Sequence, residues 1–137
     1  MKLTAEERTW LAAVADALIP ATGAMPAASQ AAVLEYGLAK VLGSRADLEP
    51  KLRELITAGI NKQPDEYLFE LKRAKPSDFS LLAETIAGAY FQDERVRALL
   101  GYSGQQPKRI DQDEEIDPVL LDDVRKRGPI YRPTPPR

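Results

Sequence analysis

Carboxylates are the main residues available for acid–base or metal chemistry, because the chain contains no His and no Cys. This composition excludes disulfides, Cys-ligated metal sites, Cys nucleophiles and His general bases. The acidic run from Asp111 to Ile116 opens like a calcium-binding loop, and Asp122 falls at its twelfth position. However, Ile116 occupies the position that needs Gly, and Asp is shorter than the usual bidentate Glu. We therefore interpret the run as a solvated acidic linker.

Two carboxylate pairs, Glu6-Glu7 and Asp93-Glu94, could also serve acid–base chemistry. Each pair falls in the first turn of a predicted helix, where the helix dipole favours negative charge, so we interpret both pairs as helix-stabilising. The serines have no His partner and no Ser-x-x-Lys arrangement. We therefore expect no catalytic, cofactor-binding or metal-binding residues in this chain.

The length, composition and charge of the chain limit its fold, its partners and its location. The chain has 137 residues, of which 44% are hydrophobic, enough for one core, and its net charge of -2 argues against a nucleic-acid partner. The longest apolar stretch, 10–19, is interrupted by Asp16, so we expect no membrane insertion. The N-terminus has no leader pattern, which predicts a cytoplasmic protein, or a periplasmic one if a twin-arginine leader has been removed.

The apolar residues of the first hundred positions recur at spacings of three and four between Pro and Gly residues, which predicts an all-α fold. We expect a small bundle of about five or six helices. Thr4 and Glu7 are predicted to form a capping box. The predicted caps of later helices are Ser29, Asp47, Ser77 and Asp93. The glycines predicted to end helices in this domain are Gly43 and Gly101.

Side chains on one stripe of each predicted helix should form the core. For the first helix these are Trp10, Leu11, Val14, Ala17 and Leu18; later stripes contain Val33, Leu34, Leu38, Val41, Leu42, Leu48, Leu52, Leu55, Ile56, Ile60, Tyr67, Leu68, Leu71, Phe79, Leu82, Ile86, Ala89, Tyr90, Val96, Leu99 and Leu100. The aromatic residues Trp10, Tyr36, Tyr90 and Phe91 are interpreted as core residues rather than cofactor contacts.

The composition changes after the helical domain, predicted at 1–102, and residues 103–137 form a Pro-rich tail. Asp117 is predicted to cap a short helix that begins at Pro118 and stops at Gly128, and whose apolar side contains Leu120, Leu121 and Val124. The last ten residues favour an extended polyproline conformation. Ile130 and Tyr131 therefore need a surface to cover, and that surface lies either on the chain's own bundle or on another protein.

Two stretches resemble a known family. Thr4-Ala5-Glu6-Glu7, followed by Leu18-Ile19-Pro20, a Gly-containing loop and Met25-Pro26-Ala27-Ala28, is similar to the opening of the gluconate 2-dehydrogenase subunit 3 family. Leu99-Leu100-Gly101-Tyr102-Ser103-Gly104-Gln105-Gln106-Pro107 is similar to that family's closing element, with Ser103 in place of the usual Pro.

The resemblance implies a non-catalytic, cofactor-free helical small subunit. Its partner would be a large flavoprotein of the glucose-methanol-choline type, which holds FAD and oxidises sugars or related alcohols, sometimes with a cytochrome as electron acceptor. On this interpretation the partner contacts the loop and the tail, through Pro20, Met25, Pro26, Tyr102, Leu120, Leu121, Ile130 and Tyr131. The alternative is a free-standing helical adaptor or regulator whose tail masks its own groove.

Truncation of the chain after Asp117 tests the role assigned to the tail. The truncated chain should keep its folded helical domain but co-purify less flavoprotein, because it loses the apolar side chains of the tail. Circular dichroism checks the fold and a pull-down measures association. Full co-purification by the truncated chain would contradict a partner-binding role for the tail.

Overall fold

Helices supply all the regular structure in residues 1–105 and 118–130, the parts of the chain that the computed structural model describes. The chain divides into two units, Met1–Ser103 and Gly104–Arg137. Among the described residues, the first unit contains six α-helices and the second contains one: α1 (Ala5–Leu18), α2 (Leu38–Ser44), α3 (Glu49–Gly59), α4 (Pro64–Ala74), α5 (Pro76–Tyr90), α6 (Glu94–Leu99) and α7 (Pro118–Arg127). The prediction of an all-α fold is confirmed.

Helix α1 begins at the predicted capping box. The Glu7 backbone N–H donates to the Thr4 hydroxyl at 3.2 Å, and the Thr4 N–H donates to the Glu7 carboxylate at 2.8 Å. Its inward face contains Trp10, Leu11 and Val14, as predicted, but the next small residue on this face is Ala15. Ala17, predicted to be in the core, is exposed because it lies to the outer side of that stripe.

A contact between Trp10 and Tyr67 joins α1, α3 and α4. The two rings meet edge to face, with centroids 5.3 Å apart. The Trp10 indole N–H donates to the Lys62 carbonyl at 3.0 Å, and the Tyr67 hydroxyl donates to the Leu55 carbonyl at 2.8 Å. Gly59 lies against both rings, so a side chain at this position would displace the indole. Buried aromatic groups with satisfied polar atoms fix the packing of these helices.

The chain between α1 and α2 is irregular, and here one predicted cap is wrong. Ser29 lies inside a 3₁₀ turn, Ala28–Ala31, and its N–H and hydroxyl donate to the Asp16 carboxylate of α1 at 2.7 and 2.8 Å. Because Asp16 engages both groups, Ser29 ties the turn to α1 instead of capping a helix. Ala32 then adopts a left-handed conformation (φ 48°), and a single π-helical turn, Val33–Gly37, leads into α2.

Helix α5 packs against α2, α3, α4 and the π-helical turn. The backbone of Gly37 approaches the backbone of Ala89 so closely that a Cβ atom at position 37 would overlap the Ala89 carbonyl group. Only glycine permits this approach without displacement of one of the two backbones. Buried Leu38, Leu82 and Ile86 belong to the same core.

Two further predicted caps and one predicted stop are wrong for local reasons. Asp47 pairs with the Arg45 guanidinium through two hydrogen bonds of 2.9 and 2.8 Å, which engages its carboxylate before α3 begins. Ser77 lies inside α5, because Pro76 starts that helix and Lys75 occupies the cap position. Gly43 lies within α2, which ends only at Ser44.

The predicted ends of α6 are confirmed. Asp93 accepts from the backbone N–H groups of Arg95 and Val96, and Gly101 adopts the left-handed conformation that ends the helix (φ 69°). In the second unit, α7 matches the predicted short helix, and Gly128 follows it with φ 66°. Asp117, the predicted cap of α7, lies outside the described residues.

None of the helices in residues 1–105 and 118–130 combines the length and apolar content needed to cross a membrane.

Substitution of Gly37 by Ala tests the contact between α5 and the π-helical turn. We expect a loss of about 2 kcal/mol or more in the free energy of unfolding, because a new side chain forces the two backbones apart. Gly43→Ala is the matched control: its surroundings are open, so it should stabilise the helix by about 0.5–1 kcal/mol. Urea unfolding measures both. Equal stability of the two variants would contradict the close packing at Gly37.

Candidate functional site

The loop Pro20–Pro26, predicted to bind a partner, is a closed turn. Thr22 and Met25 exchange two backbone hydrogen bonds of 3.0 Å, and Gly23 has the positive φ that the turn requires (59°). Met25 is half-buried and packs against the chain's own core. The surface that the loop offers to another molecule is therefore chiefly the exposed run 20–24.

The loop is bonded to the C-terminal end of α5. The Tyr90 hydroxyl donates to the Pro26 carbonyl at 2.8 Å, and the Ala28 N–H donates to the Ile19 carbonyl at 3.1 Å. Burial raises the pKa of Tyr90, and the nearby Asp93 charge adds to the rise, so the phenol stays a neutral hydrogen-bond donor. The loop and the last turn of α5 are thus held together.

Helix α6 is fixed in the same region by Asp93 and Arg95. The Asp93 carboxylate accepts from the Arg95 backbone and side chain, while the Arg95 side chain also donates to the Gln30 carbonyl. The hydrogen bond from the Arg95 side chain is the largest cause of the lowered pKa of Asp93, and the backbone N–H groups add to it. These contacts connect the start of α6 to the 3₁₀ turn that follows the loop.

Large apolar side chains between α5 and the end of the first unit are exposed to solvent. Their exposed fractions are 48% for Phe91, 51% for Leu99, 55% for Leu100 and 55% for Tyr102, and we refer to these four residues as the apolar surface. In contrast, Val96 is the buried residue of α6. Leu99 and Leu100 therefore do not join the core as their predicted stripe implied, because α6 spans only six residues.

The core assignment of the aromatic residues is correct for two of the four. Trp10 and Tyr90 are buried, whereas Tyr36 is half exposed and Phe91 belongs to the apolar surface. Tyr36 projects from the π-helical turn, and its ring lies 4.6 Å from the Lys40 ammonium. Phe91 packs edge to face on Tyr90, with centroids 5.6 Å apart, so one face of its ring is supported by the core.

The residues predicted for partner binding in the tail belong to the second unit. Leu120 lies within α7, where Leu121 and Val124 are 37% and 53% exposed. Ile130, after α7, is 71% exposed. Tyr131 lies outside the described residues.

Phe91, Leu99 and Leu100 were not predicted to lie at the surface. For Leu99 and Leu100 a signal was available, because the cap at Asp93 and the stop at Gly101 leave fewer than about two turns of helix, which can bury few side chains. Tyr102, predicted to contact a partner, is 55% exposed, and its role stays a prediction.

The carboxylates singled out for chemistry have structural contacts. Glu7 closes the capping box and pairs with Arg53 at 3.4 Å, and Asp93 caps α6. Within residues 1–105 and 118–130, no group of three or more acidic side chains is arranged to hold a metal ion. The acidic run 111–116 lies outside the described residues.

No protein-family model, curated protein or solved structure matches this chain.

Substitution of Asp93 by Ala tests how α6 is held. The variant should lose about 1 kcal/mol at neutral pH, because two backbone N–H groups lose their acceptor. The pKa of Asp93 in the folded state is below its usual 3.8, so the part of its contribution that depends on charge is complete above that value and is lost as the pH falls through the folded-state pKa. The difference in thermal stability between Asp93→Ala and the wild type should therefore become smaller in acid.

Asp93→Asn is the matched control, since the amide oxygen still accepts but carries no charge. At neutral pH, Asp93→Asn should retain most of the stability that the Asp93→Ala variant loses. A stability difference between Asp93→Ala and the wild type that persists unchanged in strong acid would contradict a role for the ionised carboxylate.

Proposed function

We propose that this chain is a non-catalytic small subunit that binds and stabilises a large FAD-dependent oxidoreductase of the glucose-methanol-choline type, acting on sugars or related alcohols. The observation that carries the proposal is the exposure of Leu99, Leu100 and Tyr102. These residues form the Leu-Leu-Gly-Tyr element that resembles the closing element of the small-subunit family. The large side chains of this closing element thus lie at the surface, where a partner can contact them.

The size of the apolar surface fits a contact between proteins. Complete burial of a large apolar side chain contributes about 1.5–3 kcal/mol, and the four side chains within 91–102 are each about half exposed, so a partner that covers them gains about half of that value from each. Part of that gain offsets the entropy lost on association. A specific contact therefore also requires that the rest of the interface is complementary in shape.

The apolar surface also rests on fixed elements. Asp93 caps α6, Gly101 ends it, and the Tyr102 N–H donates to the Arg97 carbonyl at 2.9 Å. A surface held in this way loses little conformational entropy when a partner covers it. The loop Pro20–Pro26 belongs to the other stretch that resembles the family. Tyr90 bonds this loop to the C-terminal end of α5, directly before Phe91 of the apolar surface.

A pull-down of the tagged chain from its native cells, followed by an absorbance spectrum of the eluate, tests the proposal. We expect a much larger co-eluting protein together with the near-ultraviolet and blue absorbance bands of oxidised flavin. A colourless monomer would contradict the proposal and favour the free-standing adaptor.

The double substitution Leu100→Ser, Tyr102→Ser tests the apolar surface itself. Both side chains are more than half exposed, so the helical domain should keep its stability within about 0.5 kcal/mol. We expect at least about a tenfold loss of co-purified flavoprotein, since two apolar contacts are removed. Phe69→Ser, at an exposed aromatic residue of α4, is the matched control. Equal loss in the control and the double variant would contradict the assignment of the surface.

A further inference from the structure

The outer face of α4 carries an exposed aromatic residue that does not belong to the apolar surface. Phe69 is 69% exposed, the highest fraction of any large apolar residue described in the first unit. Glu66 and Arg73 are exposed on the same face, three and four residues from Phe69, and the adjacent Glu70 is exposed as well. The opposite face of α4 is buried through Tyr67, Leu68 and Leu71. Phe69 is therefore an apolar centre framed by charges.

Charge is distributed along α4 in two halves of opposite sign. The first turn contains Asp65 and Glu66, the last turn contains Lys72 and Arg73, and Phe69 lies midway between them. The charges suit the helix dipole, but that effect requires no aromatic residue on the exposed face. Across residues 1–105 and 118–130, neither Glu66 nor Arg73 has an ion-pair partner.

Two other charges of α4 already have contacts. The Lys62 ammonium pairs with the Glu70 carboxylate at 2.6 Å, and the Lys72 ammonium lies 5.6 Å from the centre of the Phe79 ring. Three charges of α4, Asp65, Glu66 and Arg73, are thus left for a contact outside the chain. Glu66 and Arg73 lie seven residues apart, about 10.5 Å along the helix.

We propose that the outer face of α4 binds α4 of a second copy of this chain, with the two helices antiparallel about a two-fold axis near Phe69. In that arrangement Glu66 of each copy faces Arg73 of the other, and the two Phe69 rings meet at the centre. A two-fold interface requires a surface that is complementary to itself. A helix with acids at one end, bases at the other and an apolar centre satisfies this requirement.

The surface beside Phe69 is open, so the ring of the second copy can approach it. An open region of about 670 Å³ adjoins Glu66, Phe69, Glu70, Arg73 and Ala74. Antiparallel helices also place their dipoles in a favourable orientation. Because α4 has only 11 residues, the contact is small, and we expect a dissociation constant of about 10 µM to 1 mM.

Sedimentation equilibrium of the full chain over that concentration range tests the proposal. The average mass should rise from 15.1 kDa towards twice that value, and high salt should weaken association because it screens the ion pairs. Phe69→Ser should raise the dissociation constant at least about tenfold. A single mass of 15.1 kDa at all concentrations would overturn the proposal.

Charge exchange identifies the antiparallel arrangement. Glu66→Arg alone should weaken association, because Arg then faces Arg73 of the other copy. The double variant Glu66→Arg, Arg73→Glu should restore it, since the pairing is complementary again with the signs reversed. Circular dichroism checks that both variants fold. Dimers that respond to neither change would overturn the proposed arrangement.

Phe91→Ser separates this proposal from the proposed function. It removes an exposed aromatic residue of the apolar surface, far along the chain from α4, and should leave self-association unchanged. Phe69→Ser should in turn leave the co-purified flavoprotein unchanged. If Phe91→Ser abolishes dimerisation, the apolar surface rather than α4 joins the two copies, and the proposal is wrong.

Discussion

The close approach of the Gly37 backbone to the Ala89 backbone is the constraint on which the first unit depends. It holds the π-helical turn and α2 against α5 without an intervening side chain. This contact lies one residue before Tyr90, whose hydroxyl binds the loop carbonyl of Pro26. Position 37 therefore influences both the core of the bundle and the end of α5 from which the apolar surface begins.

Helix type and approximate bounds could be predicted from spacing, proline and glycine, because these signals are local. The errors arose where another side chain engaged the predicted group, or where the helix began before it or continued beyond it, as at Ser77 and Gly43. Asp16 engages Ser29 across thirteen positions, and Arg45 engages Asp47 before α3 begins. The left-handed Ala32 and the π-helical turn had no signal in the sequence, since a run of apolar residues fits a regular helix equally well.

The candidate site could be predicted only in part for the same reason. Pro26 and Tyr102 were identified from short patterns, but their surroundings depend on tertiary contacts with Tyr90 and with the end of α6. Phe91 follows a helical stripe and was assigned to the core, yet α5 ends at Tyr90 and the next ring turns outward. The apolar surface and the outer face of α4 have no residue in common, so substitutions can test the two surfaces independently.

We propose that a flavoprotein covers the apolar surface. Hydrogen–deuterium exchange, measured on the free chain and on the co-purified complex, tests this contact. We expect slower exchange of the amides from Phe91 to Gly104 in the complex. Unchanged exchange in this segment, with protection elsewhere in the helical domain, would contradict the proposed contact.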